Sequence, residues 1–315
     1  MGRENVRPMS PNHNHIPLSV WGMLLFLSVI WGGSYLFVGI AVKDLSPLVI
    51  VMARVVLAAA ALLPLHLLLN GPLPRDRQAW TAIVGLSILN NVIPFTLIVT
   101  GQTMIASGLA SVINATSPLF GVAFIAAAGL DPLIPRKVFG ILIGIVGVAV
   151  LKGGSLFGEN SQSIGILLCL GAAASYGVGS LWARMKLKDT PPLSMATGQL
   201  LCSSVIMTVL AFSFDSPSQL LDASKENWAA LLGLSLLSTS FAYILFFRVV
   251  AKSGPANVLL VTMLIPVSAI AMGIAVLGET LDRMEILGTV IIMLALVVID
   301  GRAIKAMRGK NIAEL

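Results

Sequence analysis

The chain is short of charge. Of its 315 residues only 11% are Asp, Glu, Lys or Arg, against about 25% in an average soluble domain. With 57% hydrophobic residues and a mean hydropathy of +0.95, it has too little polar surface for a water-soluble fold. Cysteine is scarce too. Cys169 and Cys202 both fall in apolar stretches and read as small core residues, which excludes a disulfide framework. Of the three histidines, His13 and His15 lie in the polar N-terminal stretch and only His66 lies in the body of the chain. That leaves no metal set, and no cofactor is expected. Neither His-Glu-x-x-His nor Gly-x-Ser-x-Gly occurs, so the chain does not read as an enzyme. The longest loop, residues 215–225, is too small for a sensory domain. The net charge of +6 is scattered through short loops and implies no nucleic-acid partner.

What is present is a series of apolar runs of about 20 residues, the length of a membrane-spanning helix. Barrel strands would be about half as long and would alternate in polarity. The spacing predicts an all-α integral membrane protein with ten transmembrane helices. They fall at 18–40, 47–69, 79–99, 103–128, 135–151, 163–184, 193–214, 226–247, 255–277 and 284–303. Residues 1–17 read as a flexible cytoplasmic tail and 304–315 as a basic one. Cytoplasmic loops carry the excess of Lys and Arg. An inside N-terminus puts fifteen of the twenty basic residues on the cytoplasmic side, and hence both termini.

The sequence also repeats. At an offset of 145, Gly32, Lys43, Asp44 and Pro47 meet Gly177, Lys188, Asp189 and Pro192. At an offset of 148, Trp80 meets Trp228, Pro118 meets Pro266 and Gly140 meets Gly288. Matched Trp, Pro and Lys-Asp do not follow from composition. The chain therefore reads as two five-helix halves, 18–152 and 161–303. Five is odd, so the second half enters the membrane from the opposite side. Inverted repeats of this kind build secondary transporters, whose substrate site lies near the midplane between the halves.

Several motifs carry a family likeness: Trp31-Gly32-Gly33-Ser34, Arg54, Ala106-Ser107-Gly108-Leu109-Ala110, the paired Pro118 and Pro266, and Leu277-Gly278-Glu279 leading to Gly288. In their order and duplication they resemble the ten-helix, EamA-type branch of the drug/metabolite transporter superfamily, over residues 18–303. The resemblance implies a multi-pass protein of a bacterial inner membrane, an exporter of amino acids or other small metabolites. It also implies a central cavity walled by helices 1, 3, 4, 6, 8 and 9. The first half has Gly129-Leu130-Asp131 where the second has Leu277-Gly278-Glu279, so no family role passes to Asp131.

Ionisable groups inside a membrane are costly and mark function. Arg54 is the one Lys or Arg that stands well inside a span rather than at its end. It reads either as a counter-charge for a carboxylate or phosphate, or as a structural arginine bonded to carbonyls. No acid stands mid-span, so proton antiport through a buried carboxylate is not supported, and transport down a gradient fits better. Asp300 reads as an interfacial residue. Neutral polar residues cluster at matched depths. Asn90 and Asn91 align with Ser238 and Thr239, Phe95 with Tyr243, and Asn114 with Thr262. Hydroxyls and amides of this kind also bond helix to helix, so each has a packing reading beside a cavity reading. The candidate cavity residues are Trp31, Ser34, Arg54, Asn90, Asn91, Asn114, Tyr176, Thr239, Tyr243 and Thr262. Pro94, Pro118 and Pro266 are candidate kinks, since each frees the carbonyl four residues earlier. Asn90 and Asn91 stand about 100° apart on a helix, so one faces the cavity and the other a neighbouring helix. The expected partners are a small-molecule substrate and the bilayer, with the protein a monomer or a homodimer. An amphipathic neutral or zwitterionic solute suits the amides, hydroxyls and rings; Arg54 leaves an organic anion open, and a passive channel is a further alternative.

Overall fold

The computed structural model describes residues 17–301 except 75, 152–160, 189 and 254–256. Both tails, apart from Pro17, and the turn at Gly254 lie outside the described residues. The described chain is helical and contains no strand. Helices α1 (Leu18–Ala41), α2 (Pro47–Asn70), α3 (Arg77–Gln102), α4 (Ser107–Ala127) and α5 (Pro135–Leu151) form the first half. Helices α6 (Ser161–Lys186), α7 (Pro192–Phe214), α8 (Lys225–Ser253), α9 (Val258–Met272, prolonged by the π-helical turn Gly273–Leu277) and α10 (Arg283–Asp300) form the second.

Local chemistry sets the ends. Asp76 accepts from the Ala79 amide, Ser224 accepts from the Asn227 amide, and Asp282 with Glu285 forms a reciprocal capping box. The left-handed Gly301 stops α10 at Asp300, short of the expected 303. α8 runs to Ser253, six residues past the expected 247.

Eight helices, α1–α4 and α6–α9, are long and apolar enough to cross a membrane. Helix α5 has 17 residues, and α10 carries Arg283, Glu285 and Asp300. These two pack against each other.

Helix contacts come in matched pairs. α1 packs on α8 and α9, while α6 packs on α3 and α4; α2 packs on α8, while α7 packs on α3. Glycines fix the same crossings in both sets. A methyl at Gly32 would collide with Ser268, and one at Gly177 would stand 2.7 Å from Phe120 Cβ and 2.9 Å from the Gly121 amide. Gly32 and Gly177 are repeat counterparts, and so are Ser268 and Phe120. Likewise a methyl at Gly140 would meet Ile299, and one at Gly288 would meet Leu151. The stripe of Gly140, Gly144 and Gly147 thus packs α5 within the chain, against α10 and Leu119 of α4.

Candidate functional site

Arg54 sits in α2 with 8% of its surface exposed. Its Nε donates to Thr239 Oγ1 of α8 at 3.0 Å. Its guanidinium carbon lies over the Phe95 ring of α3, 3.6 Å from the ring centre. The negative face of an aromatic ring attracts a cation placed over it. Neither Nη atom forms a hydrogen bond or an ion pair among the described residues. The chain has three tyrosines, and Tyr35, Tyr176 and Tyr243 all lie within electrostatic range of this cation.

The cation therefore has aromatic and hydroxyl neighbours but no counter-charge. Every described Asp and Glu lies in a connecting segment or within one turn of a helix end. The one ion pair among the described residues joins Lys137 to Asp131.

Beside Arg54 runs a chain of neutral hydrogen bonds. The Tyr243 hydroxyl donates to Asn91 Oδ1 at 3.2 Å, and Asn91 Nδ2 donates to Ser203 Oγ of α7 at 3.2 Å. Ser203 in turn donates to the Gln199 carbonyl at 2.8 Å. Asn91 is fully buried, whereas Asn90 turns toward Gly179 of α6. Asn91 is thus the inward amide of the pair.

Both polar stretches lie in π-helical turns, Ile88–Val92 in α3 and Gly233–Phe241 in α8, at repeat-related positions. A π-turn widens the helix and leaves acceptors for side chains. Thr239 Oγ1 donates to the Leu234 carbonyl and Ser240 Oγ to the Ser235 carbonyl, each five residues back. Such turns recur at functional sites.

The other expected residues divide. Asn114 faces the Tyr35 hydroxyl. Pro118 breaks α4 between Ser107–Asn114 and Ser117–Ala127, and the freed Asn114 carbonyl accepts from Ser117 Oγ at 2.5 Å. Pro266 leaves α9 helical on both sides. Pro94 follows the π-turn of α3. Trp31 joins the cluster only through a row of rings. It stacks on Phe246 at 5.6 Å, Phe246 meets Phe247 at 5.1 Å, and Phe247 meets Tyr243 at 6.4 Å. Ser34 and Thr262 are half-buried and form no hydrogen bond among the described residues. Several aligned hydroxyls bond helix to helix: Ser238 to the Ile30 carbonyl, Ser240 to Ala58 and Ser204 to Val55.

Tyr35, Phe95 and Ser203 belong to the cluster but not to the expected set. The signal for Ser203 was its i, i+4 spacing from Gln199, the repeat counterpart of Arg54. Gln199 is also buried, and its Oε1 has no partner.

A second inter-half contact lies at one end of the bundle. Glu279 accepts from the Ser107 amide at 2.7 Å, the Ser107 hydroxyl at 2.9 Å and the Gly108 amide at 3.1 Å. Ala106 has no side chain to cap α4, so Glu279 of the second half caps it. Asp131, its positional counterpart, instead pairs with Lys137 at 2.8 Å, and that ammonium holds its carboxyl below the ordinary value. An open apolar groove of about 390 Å³, bordered by Leu25, Val29, Val267 and Met272, shares no residue with the Arg54 cluster.

A polar cluster buried where two sets of apolar, membrane-length helices meet is the architecture of a multi-pass membrane protein. The EamA-like transporter family model matches the chain twice, at residues 19–152 and 163–300. The chain belongs to that family, within the drug/metabolite transporter superfamily, and is a multi-pass transporter of the inner membrane. It is 28% identical over 290 residues to the uncharacterized inner membrane transporter YedA of Escherichia coli K12, covering 90% of each chain. It is 24% identical to a probable amino-acid metabolite efflux pump of Salmonella typhimurium, covering 87% of this chain and 92% of that one. A crystal structure at 17% identity superposes with a TM-score of 0.64, covering 90% of this chain and 96% of the other, which shows a shared fold.

Proposed function

We propose that the protein exports small metabolites, amino acids or related amphipathic compounds, by alternating access around the Arg54 cluster. All ten helices span the membrane in this reading, as two inverted five-helix halves with both termini cytoplasmic. The matched helix contacts support it, as do the paired glycine crossings and the duplicated π-turns. The observation that carries the reading is the make-up of the cluster. Arg54, Asn91 and Phe95 come from one half, and Tyr176, Ser203, Thr239 and Tyr243 from the other. A solute seated there touches both halves, so rocking one against the other moves it between faces. Glu279 capping α4 then closes the outer face in this conformation.

The likeness to an amino-acid metabolite efflux pump supports the substrate class. The missing mid-span acid supports transport without a buried proton carrier. Purified protein in liposomes, loaded with a panel of unlabelled amino acids and their deaminated analogues, is predicted to give saturable entrance counterflow of a labelled member. Linear, non-saturating flux would point to a channel, and no flux for any member would remove the transport reading.

A further inference from the structure

The charge left unpaired around Arg54 is of one sign. Three side-chain oxygens of the cluster each accept one hydrogen bond, while Gln199 Oε1, one turn from Ser203, accepts none. Asn91 Oδ1 takes the Tyr243 hydroxyl, Thr239 Oγ1 takes Arg54 Nε, and Ser203 Oγ takes Asn91 Nδ2. What remains beside the cation are both Nη donors of Arg54 and the Tyr176 hydroxyl, a donor or acceptor with no hydrogen bond among the described residues. No carboxylate is present to receive an ammonium. Around these donors the walls are apolar or aromatic: Phe95, Tyr35 and the ring of Tyr176.

We propose that the Arg54 site takes a small monocarboxylate with an apolar or aromatic body and no ammonium group, a deaminated acid in preference to the amino acid itself. The inference rests on the transport site proposed above and narrows its substrate class. A planar carboxylate matches the paired N–H donors of a guanidinium edge, and the pair is neutral when formed. A zwitterion brings the same carboxylate but sets its ammonium beside the Arg54 cation, with no carboxylate of the protein there to neutralise it. In a low-dielectric site that like-charge contact is not screened. A neutral amide leaves the arginine charge uncompensated.

The test uses four matched compounds: 3-phenylpropanoate, L-phenylalanine, 3-phenylpropanamide and 2-phenylethylamine. Each is titrated into the purified full chain while the thermal midpoint is followed, and each is then offered as a competitor in counterflow. The expected order puts 3-phenylpropanoate first, with L-phenylalanine weaker by about tenfold or more and the amide and amine without effect. Arg54→Gln should lose the carboxylate response and Arg54→Lys should keep a reduced one. Discrimination by the wild type needs no variant, so the test survives a misfolded Arg54→Gln. Equal or tighter binding of L-phenylalanine overturns the inference, as does a carboxylate response that survives Arg54→Gln, or no response to any of the four. Carboxylate binding without counterflow would uphold the inference and sink the transport reading. Counterflow that prefers L-phenylalanine would do the reverse.

Discussion

Arg54 Nε and Thr239 Oγ1, 3.0 Å apart, join the second helix of one half to the third helix of the other. Their repeat counterparts are Gln199 and Asn91, and Asn91 bonds Ser203, one turn along from Gln199. The two repeat-related helix pairs, α2 with α8 and α7 with α3, are therefore each bridged, once with a charge and once without. Under the proposed function the charged copy is the one that selects the solute.

That reading separates a functional arginine from a structural one. An arginine at the bilayer centre costs about 2.5–3.5 kcal/mol on insertion scales. Its position over Phe95, in a buried site, returns about 2 kcal/mol, which offsets only part of that cost. Thr239 also donates to the Leu234 carbonyl, so removing Arg54 orphans no hydroxyl proton. Arg54→Met should therefore leave the thermal midpoint unchanged or raised while abolishing counterflow. A midpoint lowered by several degrees would identify Arg54 as a structural strut.

Glu279 should behave as a latch between the halves. Glu279→Ala leaves the Ser107 and Gly108 amides without a cap, a loss of about 0.5–2 kcal/mol for a helix N-terminus. The expected result is a lower thermal midpoint together with faster labelling of a cysteine placed at Ala106. Asp131→Asn should change neither labelling nor counterflow, because Asp131 sits at the surface with Lys137. The depressed Asp131 value adds a sign: whatever the pair contributes is present above the ordinary carboxylate pKa and fades as pH falls through the lowered one. Equal labelling of Glu279→Ala and wild type would remove the latch.

Gly177 tests the crossing of α6 and α4. A methyl there meets the Gly121 backbone amide at 2.9 Å, and backbone cannot swing aside. Gly177→Ala should destabilise by about 1–3 kcal/mol, the range for overpacking. Gly22→Ala, with nothing within 4 Å of the added methyl, is the control and should lower the midpoint by far less. Matching midpoints for the two variants would contradict the close approach.

Much of this was legible in the sequence. Apolar runs and breakers placed the helices, and the offsets of 145 and 148 aligned Asn91 with Thr239 and Phe95 with Tyr243. The π-turns were not legible, because a slipped hydrogen bond leaves no mark on composition. The place of Phe95 and Tyr35 beside the cation was hidden for a different reason. An aromatic ring on an apolar face looks like packing until the cation above it is located. Ser238 went the other way: its alignment with Asn90 looked like a cavity lining, yet its hydroxyl is committed to the Ile30 carbonyl. Repeat alignment fixes depth along a helix but not which neighbour a side chain meets.

The central claim is that solute is held where Asn91, Tyr243 and Arg54 meet, and the two adjacent amides offer the most direct test. Entrance counterflow should be measured side by side for wild type, Asn91→Ala and Asn90→Ala. Asn91→Ala removes the acceptor of Tyr243 and the donor to Ser203, and should lower the rate by about tenfold or more. Asn90→Ala, which removes an amide that faces Gly179 and forms no hydrogen bond among the described residues, should stay within about twofold of wild type. Wild-type counterflow in Asn91→Ala would contradict the account.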